Sequence, residues 1–357
     1  MSETLRQAML VGGAVISGMS GRPLHFGDAA AELGAALDSA VVVGRDELAR
    51  ALGDGPDLLD LLDRLSTNAV KGLAPGQGVQ TVLTTPKGRI VERLFVHHLV
   101  QDSVLLVGGR GAATRMLEHI GRYTFRERTG LVDAAERLDL ISVCGPRTAE
   151  ALRAADLLQP PAGGSVRFDR DGGSVDALGH DGLGPGGVTF AVPPSLAAEL
   201  WRAVSLAVGH VDGRPAGSEA MEAWRVLRGL PAAPAELNEG HNPLEAGLWD
   251  AVSFNKGCYV GQEVVARLNT YDKVSRVLLG LELPRGAGAP EPGTPLYVSG
   301  RQVGEVTTAL LPPGRDRAVA LCYIKRREVG IGDTVAVGDS AAPPTALLVE
   351  GPASTRR

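Results

Sequence analysis

The last third of the sequence constrains the fold most, because it has the pattern of a succession of short β-strands. From about Val274 onward, apolar and polar residues alternate in the runs VSRVLLGLEL, PLYVSG, RQVGEVTTALL, RAVALCYIKR and DTVAVG. Glycine, proline and aspartate separate these runs, and none of them has a helical period. The pattern predicts a small all-β C-terminal domain, either a barrel or a Greek-key sandwich.

The preceding part of the chain mixes helical and extended patterns. GDAAAELGAAL, RDELARALG and AATRMLEHIGRY have helical spacing, whereas SAVVVG, GVQTVLTT, RIVERLFVHHLV and SVLLVGG are typical of strands. ISVCGPRTAEAL predicts a strand that runs through Gly-Pro into a helix, and the Gly- and Pro-rich stretch from Pro160 to Pro194 predicts turns between short strands. The regular βαβ spacing of a doubly wound sheet is missing, so we predict an α+β fold.

Composition limits the kinds of partner. The 357 residues are 44% hydrophobic, enough for the cores of two or three domains, and the net charge of −5 comes without a run of like charges. We see no signal peptide, and no apolar run approaches the ~18 residues of a membrane span. The three cysteines (Cys144, Cys258 and Cys322) are far apart and lack histidines at ligand spacing, so neither a disulfide framework nor a zinc site is encoded. We expect a cytoplasmic protein that binds no nucleic acid, membrane or metal.

One cysteine has an unusual setting, the stretch NKGCYVGQEVVAR from Asn255 to Arg267. Helix-forming residues follow Gly261, so Cys258 lies just upstream of a helix N-terminus. The partial positive charge of that N-terminus, together with Lys256, favours a thiolate over a thiol. Gly257 and Gly261 remove side-chain bulk on either side and permit positive φ, so the backbone can approach a ligand closely. The stretch predicts a small-molecule site with a reactive thiol.

The residues alone leave a second interpretation open. Free cysteine is among the most buried residue types. In the alternative interpretation, Cys258 is an ordinary small core residue and Lys256 is a solvated loop charge. Cys144 lies in the apolar run ISVCG and Cys322 in the alternating run AVALCYI, and we assign both to the core.

The string KGCYVGQE closely resembles the signature of the YgfZ family of folate-binding proteins, which are relatives of the glycine-cleavage T-protein. The resemblance covers most of the chain. NPLEAGLWDAVSFN resembles the family's Pro-x-Glu approach to the motif, ISVCGPRTAEAL its Gly-Pro segment, and WRVLRGLP its Arg-Ile-Glu-x-Gly-x-Pro segment. DLLDRLSTNAVKGLAPGQGVQTVLTTPKGRIVERLFVHHL resembles the N-terminal block, in which Leu-x-Pro-Gly precedes a Lys-Gly-Arg turn.

This resemblance implies a T-protein-like ring of three domains around a central channel, two of them α+β and the third a C-terminal all-β barrel. We predict the first domain at residues 1–50 and 137–243, the second at 51–136, and the motif with the barrel at 244–357. The resemblance also implies tetrahydrofolate or a related reduced folate, with its pterin in the channel, and a role in keeping iron–sulfur enzymes functional. Iron–sulfur proteins or their assembly factors are the implied protein partners.

The resemblance also assigns roles to single residues. It places the family cysteine at Cys258, on the channel wall, with Lys256 beside it as the second catalytic residue. The residues expected to contact the folate are Gly257, Tyr259, Gly261, Gln262, Glu263, Arg267, Glu245 and Arg225.

The sequence departs from the family pattern at two places. T-proteins usually carry Asn-x-x-Asn-x-x-x-Asp after a strand, and the Asp helps to position the folate and the aminomethyl group. Here SVLLVGGRGAATRMLE offers Gly108, Gly109 and Arg115, with no acid before Glu118. Leu227 stands where the family has a Glu that would pair with the guanidine-like edge of the pterin through two hydrogen bonds. We therefore expect weak folate binding and no aminomethyl transfer.

Three hypotheses for the function follow. In the first, the protein is YgfZ-like, binds tetrahydrofolate and supports the assembly or repair of iron–sulfur proteins, and Cys258 contributes the chemistry. In the second, it is an aminomethyltransferase of glycine cleavage, against which the missing acid argues. In the third, it is a pterin-binding module without catalysis, in which Cys258 only lines the pocket.

Overall fold

The computed structural model describes residues 1–19, 21–99, 102–170, 172–179, 186–339 and 342–351. Its helices are α1 Glu3–Val11, α2 Ala29–Asp38, α3 Leu58–Leu65, α4 Ala113–Gly121, α5 Thr148–Ala154, α6 Pro194–Gly209, α7 Ser218–Leu227 and α8 Gln262–Thr270. Its strands are β1 Val15–Ile16, β2 Pro23–His25, β3 Val41–Gly44, β4 Leu48–Asp54, β5 Gly78–Thr84, β6 Ile90–His98, β7 Val104–Arg110, β8 Gly130–Asp133, β9 Asp139–Cys144, β10 Ser165–Arg170, β11 Gly173–Gly179, β12 Val188–Val192, β13 Arg214–Pro215, β14 Arg276–Glu282, β15 Pro295–Val298, β16 Arg301–Leu310, β17 Val319–Lys325, β18 Thr334–Val337 and β19 Thr345–Val349.

The chain divides into two compact units. One consists of Met1–Thr81 and Glu92–Met221, and the other of Val82–Val91 and the chain from Glu222 onward. The hairpin between β5 and β6 therefore belongs with residues that lie far from it in the sequence. The three-domain division and the central channel stay predictions.

The first unit contains a six-stranded sheet and, apart from residues 82–84 and 90–91, a five-stranded sheet. The order of the six-stranded sheet is β10-β11-β12-β9-β3-β13, and that of the five-stranded sheet is β5-β6-β7-β4-β8. Apolar side chains of α1 and α6 pack against one face of the six-stranded sheet, among them Leu5, Met9, Trp201 and Val204. A smaller cluster joins side chains of the two sheets, including Phe95, Leu105, Leu140 and Leu178. Apolar burial against sheet faces is thus the source of this unit's stability.

One predicted helix is wrong. RDELARALG forms strand β4, which pairs antiparallel with both β7 and β8. Its helical spacing is overridden because the neighbouring strands satisfy the backbone hydrogen bonds on both edges. Arg50 in this strand is buried and donates to the carbonyls of Asp46, Leu48 and Ala135.

The other predicted elements of the first unit are present. ISVCGPRTAEAL is β9 followed by α5, and the segments predicted as α2, α4, β3, β5, β6 and β7 form those elements. The Gly- and Pro-rich stretch holds β10, β11 and β12, while residues 171 and 180–185 of it lie outside the described residues.

The second unit is built on a closed barrel, with the strand order β14-β17-β16-β15-β18-β19 and β19 paired back to β14. Alternate residues point inward, as the two-residue period of a strand requires. The interior side chains include Leu279, Leu281, Ala320, Cys322, Ile324, Val335, Val337, Ala346 and Leu348. The predicted α+β class with a C-terminal barrel is confirmed. Strand β19 was not among the runs that we predicted.

A β-bulge interrupts β16. Val306 pairs with Cys322 and Thr308 pairs with Leu321, so Thr307 is an extra residue opposite β17. A bulge locally breaks the alternation of side chains across a strand. Thr307 and Thr308 consequently point toward the same partner, which is described below.

None of the helices in the described ranges is long and apolar enough to cross a lipid bilayer.

Candidate functional site

The loop before α8 contains the predicted reactive cysteine. It follows a single turn of 3-10 helix at Trp249–Ala251 and ends at Gly261, the N-cap residue of α8, with φ +85°. The N–H of Gln262 donates to the carbonyl of Tyr259 at 3.1 Å, so the loop is hydrogen-bonded to the start of the helix. Cys258 thus lies four residues before the first helical residue, upstream of a helix N-terminus as predicted.

The β5–β6 hairpin packs against this loop, which the sequence analysis did not predict. The buried hydroxyl of Thr84 donates to the carbonyl of Val260 at 2.5 Å. A Cβ on Gly261 would come within 2.5 Å of the carbonyl oxygen of Thr85 and 2.9 Å of the Cα of Gly88. The Lys-Gly-Arg turn in the sequence indicated the hairpin, but nothing in that turn indicated that the hairpin would pack against α8.

Glycine is required at only one of the two motif positions. Gly261 needs it, because its φ is positive and backbone atoms fill the space where a side chain would lie. A Cβ on Gly257 would meet no atom within 4 Å, and the φ of Gly257 lies outside the left-handed region. Gly257 therefore leaves open space beside Cys258.

The three cysteines lie in different environments. All are free thiols; Cys258 is exposed, and Cys144 and Cys322 are buried. Burial raises the pKa of Cys144 and of Cys322 to about 12. The assignment of these two to the core is confirmed.

Lys256 and Tyr259 form an aromatic–cation pair within the loop. The ammonium nitrogen of Lys256 lies 5.4 Å from the centroid of the Tyr259 ring, close enough for a cation–π interaction. Tyr259 is 7% exposed, and burial raises its pKa to about 12, so the phenol is neutral at physiological pH. The loop therefore has a buried aromatic residue beneath a cation, next to an exposed thiol.

The exposed face of α8 carries two more predicted ligand contacts, Glu263 and Arg267. Their side chains pair with each other at 3.3 Å and are 83% and 68% exposed. Such i,i+4 pairs at the surface contribute little stability. The opposite face of α8 is apolar, and Val265 packs with Leu244, Val252 and Val274.

Glu245 is nearly buried, and its carboxylate has partners within the second unit. It accepts from the N–H of Asn242 at 3.2 Å and from the hydroxyl of Ser275 at 3.3 Å. Its Oε2 atom lies 3.6 Å from Nη1 of Arg89, a hairpin residue that also donates to the carbonyl of Gly240. Glu245 thus joins the segment before the motif loop to the hairpin and to the start of the barrel.

Arg225 belongs to a different network. It donates to both carboxylate oxygens of Glu222, to the carbonyl of Leu230, to Glu236 at 3.0 Å and to Thr308 at 3.4 Å. These contacts use all five N–H donors of the guanidinium. A ligand would have to displace one of these hydrogen bonds to bind Arg225. The sequence resemblance alone could not show that the donors of Arg225 already have protein partners.

Glu236 lies at the centre of that network and was not predicted. It is fully buried and accepts from the hydroxyls of Thr307 and Thr308 at 2.7 and 2.6 Å, besides Arg225 and the N–H of Ala232. The neighbouring Leu227 is half-buried and packs against an apolar cluster that includes Leu237. The side chain at position 227 therefore contributes packing.

The segment that departs from the T-protein pattern lies in the first unit, after β7. Arg115 forms an ion pair with Glu92, a carboxylate of β6 that is 1% exposed. Glu92 also accepts from the N–H of Gly109 at 2.9 Å. A carboxylate is thus present beside this segment, but a guanidinium neutralises it. Glu92 was missed because it comes from the adjacent strand.

No three His, Cys, Asp or Glu side chains among the described residues lie together in an arrangement that could hold a metal ion.

We expect Cys258 to react with iodoacetamide faster than Cys144 and Cys322 in the native protein. Only Cys258 is exposed, and the raised pKa of the other two leaves almost no thiolate at neutral pH. Mass spectrometry of the alkylated protein over time gives the three rates. Equal protection of all three cysteines would contradict this expectation.

Lys256→Met should slow the reaction of Cys258 by at most about fivefold, since a unit charge at 4 Å in water contributes about 1 kcal/mol. Lys273→Met is the matched control, because Lys273 lies 5.4 Å from the ring centroid of Tyr271, beyond the other end of α8. The control should leave the rate unchanged.

Comparisons with known proteins agree with this architecture. Residues 13–256 match the GCVT N-terminal domain, and residues 276–352 match the glycine cleavage T-protein C-terminal barrel domain. The chain is 31% identical over 317 residues to an aminomethyltransferase of Symbiobacterium thermophilum, covering 84% of this chain and 82% of that protein. It is 32% identical over 303 residues to a chloroplastic protein of Arabidopsis thaliana that is named as a transferase, covering 84% and 68%.

A solved structure has the same fold. Aminomethyltransferase T of the glycine cleavage system from Bartonella henselae matches 100% of this chain and 99% of its own chain, with a TM-score of 0.83 and 20% sequence identity. Both domain matches and the closed barrel lead to one conclusion: the chain belongs to the glycine cleavage T-protein (GcvT) family.

Proposed function

We propose that this protein is a YgfZ-type member of the GcvT family that binds a reduced folate and supports the assembly or repair of iron–sulfur proteins. Cys258 carries the chemistry, together with Lys256. The observation on which the proposal depends is the exposed thiol of Cys258 within the string KGCYVGQE. A reducing compartment, the cytoplasm, suits such a free thiol.

The motif loop suits a thiol that meets a small molecule or a protein partner. Cys258 is exposed, and a side chain on the preceding Gly257 would meet no atom within 4 Å. The ammonium of Lys256 lies over a buried ring, which reduces its freedom and keeps a positive charge in the loop. The packing of Gly261 against the hairpin fixes the end of the loop. These contacts thus hold the backbone of the motif loop while the thiol of Cys258 stays accessible.

The residues present fit a folate only in part. A pterin presents a donor edge that a carboxylate recognises best, and Leu227 offers none. The buried carboxylates of the same unit, Glu236 and Glu245, already have protein partners. We therefore propose that a reduced folate binds weakly, and that Arg225 and Glu245 position the surrounding segments.

Aminomethyl transfer is the second candidate function, because relatives 31% identical or less to this chain are named aminomethyltransferases. The pairing of Glu92 with Arg115 favours the first proposal over this one. A carboxylate that is already neutralised by a guanidinium is a poor group for positioning an aminomethyl cation.

We expect no aminomethyl transfer from a carrier protein to tetrahydrofolate, because the segment after β7 has no acid before Glu118 and the adjacent Glu92 is paired with Arg115. A coupled assay of methylene-tetrahydrofolate formation measures the turnover, with a bacterial aminomethyltransferase as the positive control. Robust turnover would contradict the expectation. Glu92→Gln would then show whether the paired carboxylate supplies the missing acid, since this substitution would abolish the activity.

We expect tetrahydrofolate to bind about ten- to a hundredfold more tightly to Leu227→Glu than to the unmodified protein. A charged hydrogen-bonding pair contributes ~1.5–3 kcal/mol, which corresponds to that ratio of dissociation constants. Titration calorimetry measures both, and Leu227→Gln is the uncharged control of the same length. Tight binding by the unmodified protein, or no binding by any of the three, would contradict the proposal, and thermal unfolding shows whether the charge destabilises the apolar cluster.

The role in iron–sulfur metabolism is tested in cells. Deleting the gene should lower the activities of iron–sulfur enzymes in extracts, and expression of the unmodified protein should restore them. Cys258→Ser should fail to restore them, because the oxygen of serine cannot replace a thiolate. Lys273→Met, which is outside the motif loop, should restore them fully. Full restoration by Cys258→Ser would show that the thiol is dispensable.

A further inference from the structure

We infer that His241 is an acid-sensitive joint in the second unit: while its ring is neutral, it ties residues 236–245 to the barrel and to the β5–β6 hairpin. His241 lies outside the motif loop, so this role is independent of the one proposed for Cys258. It is also the only histidine in the sequence of the second unit, which consists of Val82–Val91 and the chain from Glu222 onward. Histidine is the side chain whose charge ordinarily changes between pH 5 and 8, and no second histidine of this unit can mask its effect.

The ring of His241 is stacked on the ring of Tyr323, a residue of strand β17. The two ring centroids are 3.5 Å apart, and the ring planes are 12° from parallel. The hydroxyl of Tyr323 in turn donates to the carbonyl of Glu236 at 2.8 Å. Both His241 and Tyr323 are buried. The stack therefore joins the barrel to the segment that contains His241.

The backbone of His241 joins the same segment to the hairpin. Its carbonyl accepts from the N–H of Ile90 at 3.0 Å, and its N–H donates to the carbonyl of Asn238 at 3.1 Å. Next to Ile90, the side chain of Arg89 donates to the carbonyl of Gly240 at 3.1 Å. A displacement of His241 would therefore also disturb the contact with the hairpin.

Burial, a missing acceptor and two neighbouring cations all oppose a charge on this ring. The Nδ1 atom of His241 is buried and has no hydrogen-bond partner among the described residues, so a proton on this atom would find no acceptor. Burial and the positive charges of Arg276 and Arg89 lower the pKa of His241 to about 4. A cation–π interaction of the imidazolium with Tyr323 would act in the opposite direction, but it supplies no acceptor for Nδ1. The ring is therefore uncharged at neutral pH.

Charged and titratable groups surround the stacked pair on each element that packs against it: Arg89 of the hairpin, Arg276 of β14, Glu305 of β16, Tyr323 of β17, and Glu236 and Glu245 of the segment itself. The carboxylates already have cationic partners, since Glu305 lies 4.0 Å from Arg276 and Glu245 lies 3.6 Å from Arg89. Glu236 is paired with Arg225 at 3.0 Å. Burial raises the pKa of Tyr323, so its hydroxyl stays protonated. In the described part of the chain, no carboxylate forms an ion pair with His241 that would compensate a charge on it.

The direction of the pH dependence follows from the difference in proton binding between the folded and unfolded states. In the unfolded chain His241 takes up a proton near its ordinary pKa of 6.5, whereas in the folded unit its pKa is about 4. The unfolded state therefore binds more protons between these two values. Stability is lost as the pH falls from about 6.5 toward 4, and protonation of the ring separates it from Tyr323 and loosens the hairpin.

The test compares the unmodified protein with His241→Phe, which keeps an aromatic ring for the stack and cannot take up a proton. Equilibrium unfolding in urea is measured at pH 7.5 and at pH 5, and both values lie above the usual pKa of carboxyl groups. The unfolding constant of the unmodified protein should rise at pH 5 by roughly ten- to thirtyfold more than that of His241→Phe. His210→Gln is the matched control, because it removes an exposed histidine of the first unit and should keep the full pH dependence.

Hydrogen exchange of the peptide that contains Ile90 reports on the second unit alone, because the N–H of Ile90 donates to the carbonyl of His241. At pH 5 this peptide should exchange faster in the unmodified protein than in His241→Phe, and at pH 7.5 the two should exchange alike. Equal pH dependence of unfolding and of exchange in the two proteins would overturn the inference.

Two further measurements apply if His241→Phe does not fold. Arg276→Gln removes one of the two positive charges and should reduce the rise of the unfolding constant at pH 5, and an unchanged rise would count against the inference. NMR titration of the unmodified protein, with its histidines labelled, gives the pKa of His241 directly. A value at or above the ordinary 6.5 would overturn the inference whatever the variants show.

Discussion

One buried carboxylate of the second unit, that of Glu236, joins α7, the segment that follows it and strand β16. A fully buried charge costs several kcal/mol unless it is paired and hydrogen-bonded, and here four donors surround it. Two of them, the hydroxyls of Thr307 and Thr308, come from consecutive residues of one strand. Consecutive side chains of a regular strand point to opposite faces, so only the bulge in β16 lets both reach the same oxygen. The bulge in the barrel therefore supplies two of the four hydrogen-bond donors to the buried carboxylate.

Further polar contacts hold the motif loop. Glu245 and Arg89 join the segment before the loop to the hairpin, and the hairpin contacts the loop through Thr84 and Gly261. Polar groups that are buried and fully paired hold the backbone in one arrangement, because each alternative would leave a donor or acceptor unpaired. The exposed thiol of Cys258, which we propose to be reactive, thus follows from a segment whose polar groups have protein partners.

The strands of the barrel and the start of α8 were predictable from the sequence, because each is encoded by a local pattern of residues. Alternating residues from Val274 predicted the strands of the barrel, and the glycine before QEVVAR predicted where α8 begins. RDELARALG was misassigned because the same spacing of Leu48, Ala51 and Leu52 suits a helix, and only the neighbouring strands decide between the two. The contact of the hairpin with α8 and the pairing of Glu92 with Arg115 were not predictable, since both join segments whose proximity no local pattern reports.

The discontinuity of the second unit has a consequence for folding. Val82–Val91 leaves the ribosome well before its partners in that unit, because all of Glu92–Met221 is synthesised in between. The loop that must close to bring Thr84 to Val260 is long, and contacts of such high sequence separation form slowly. During synthesis the apolar side chains of Val82 and Ile90, which end in a cluster with Leu237 and Tyr323, have no partner from the later chain. The nascent chain therefore exposes these two apolar side chains until the segment from Glu222 onward has been made, and exposed apolar side chains favour aggregation when chaperones are scarce.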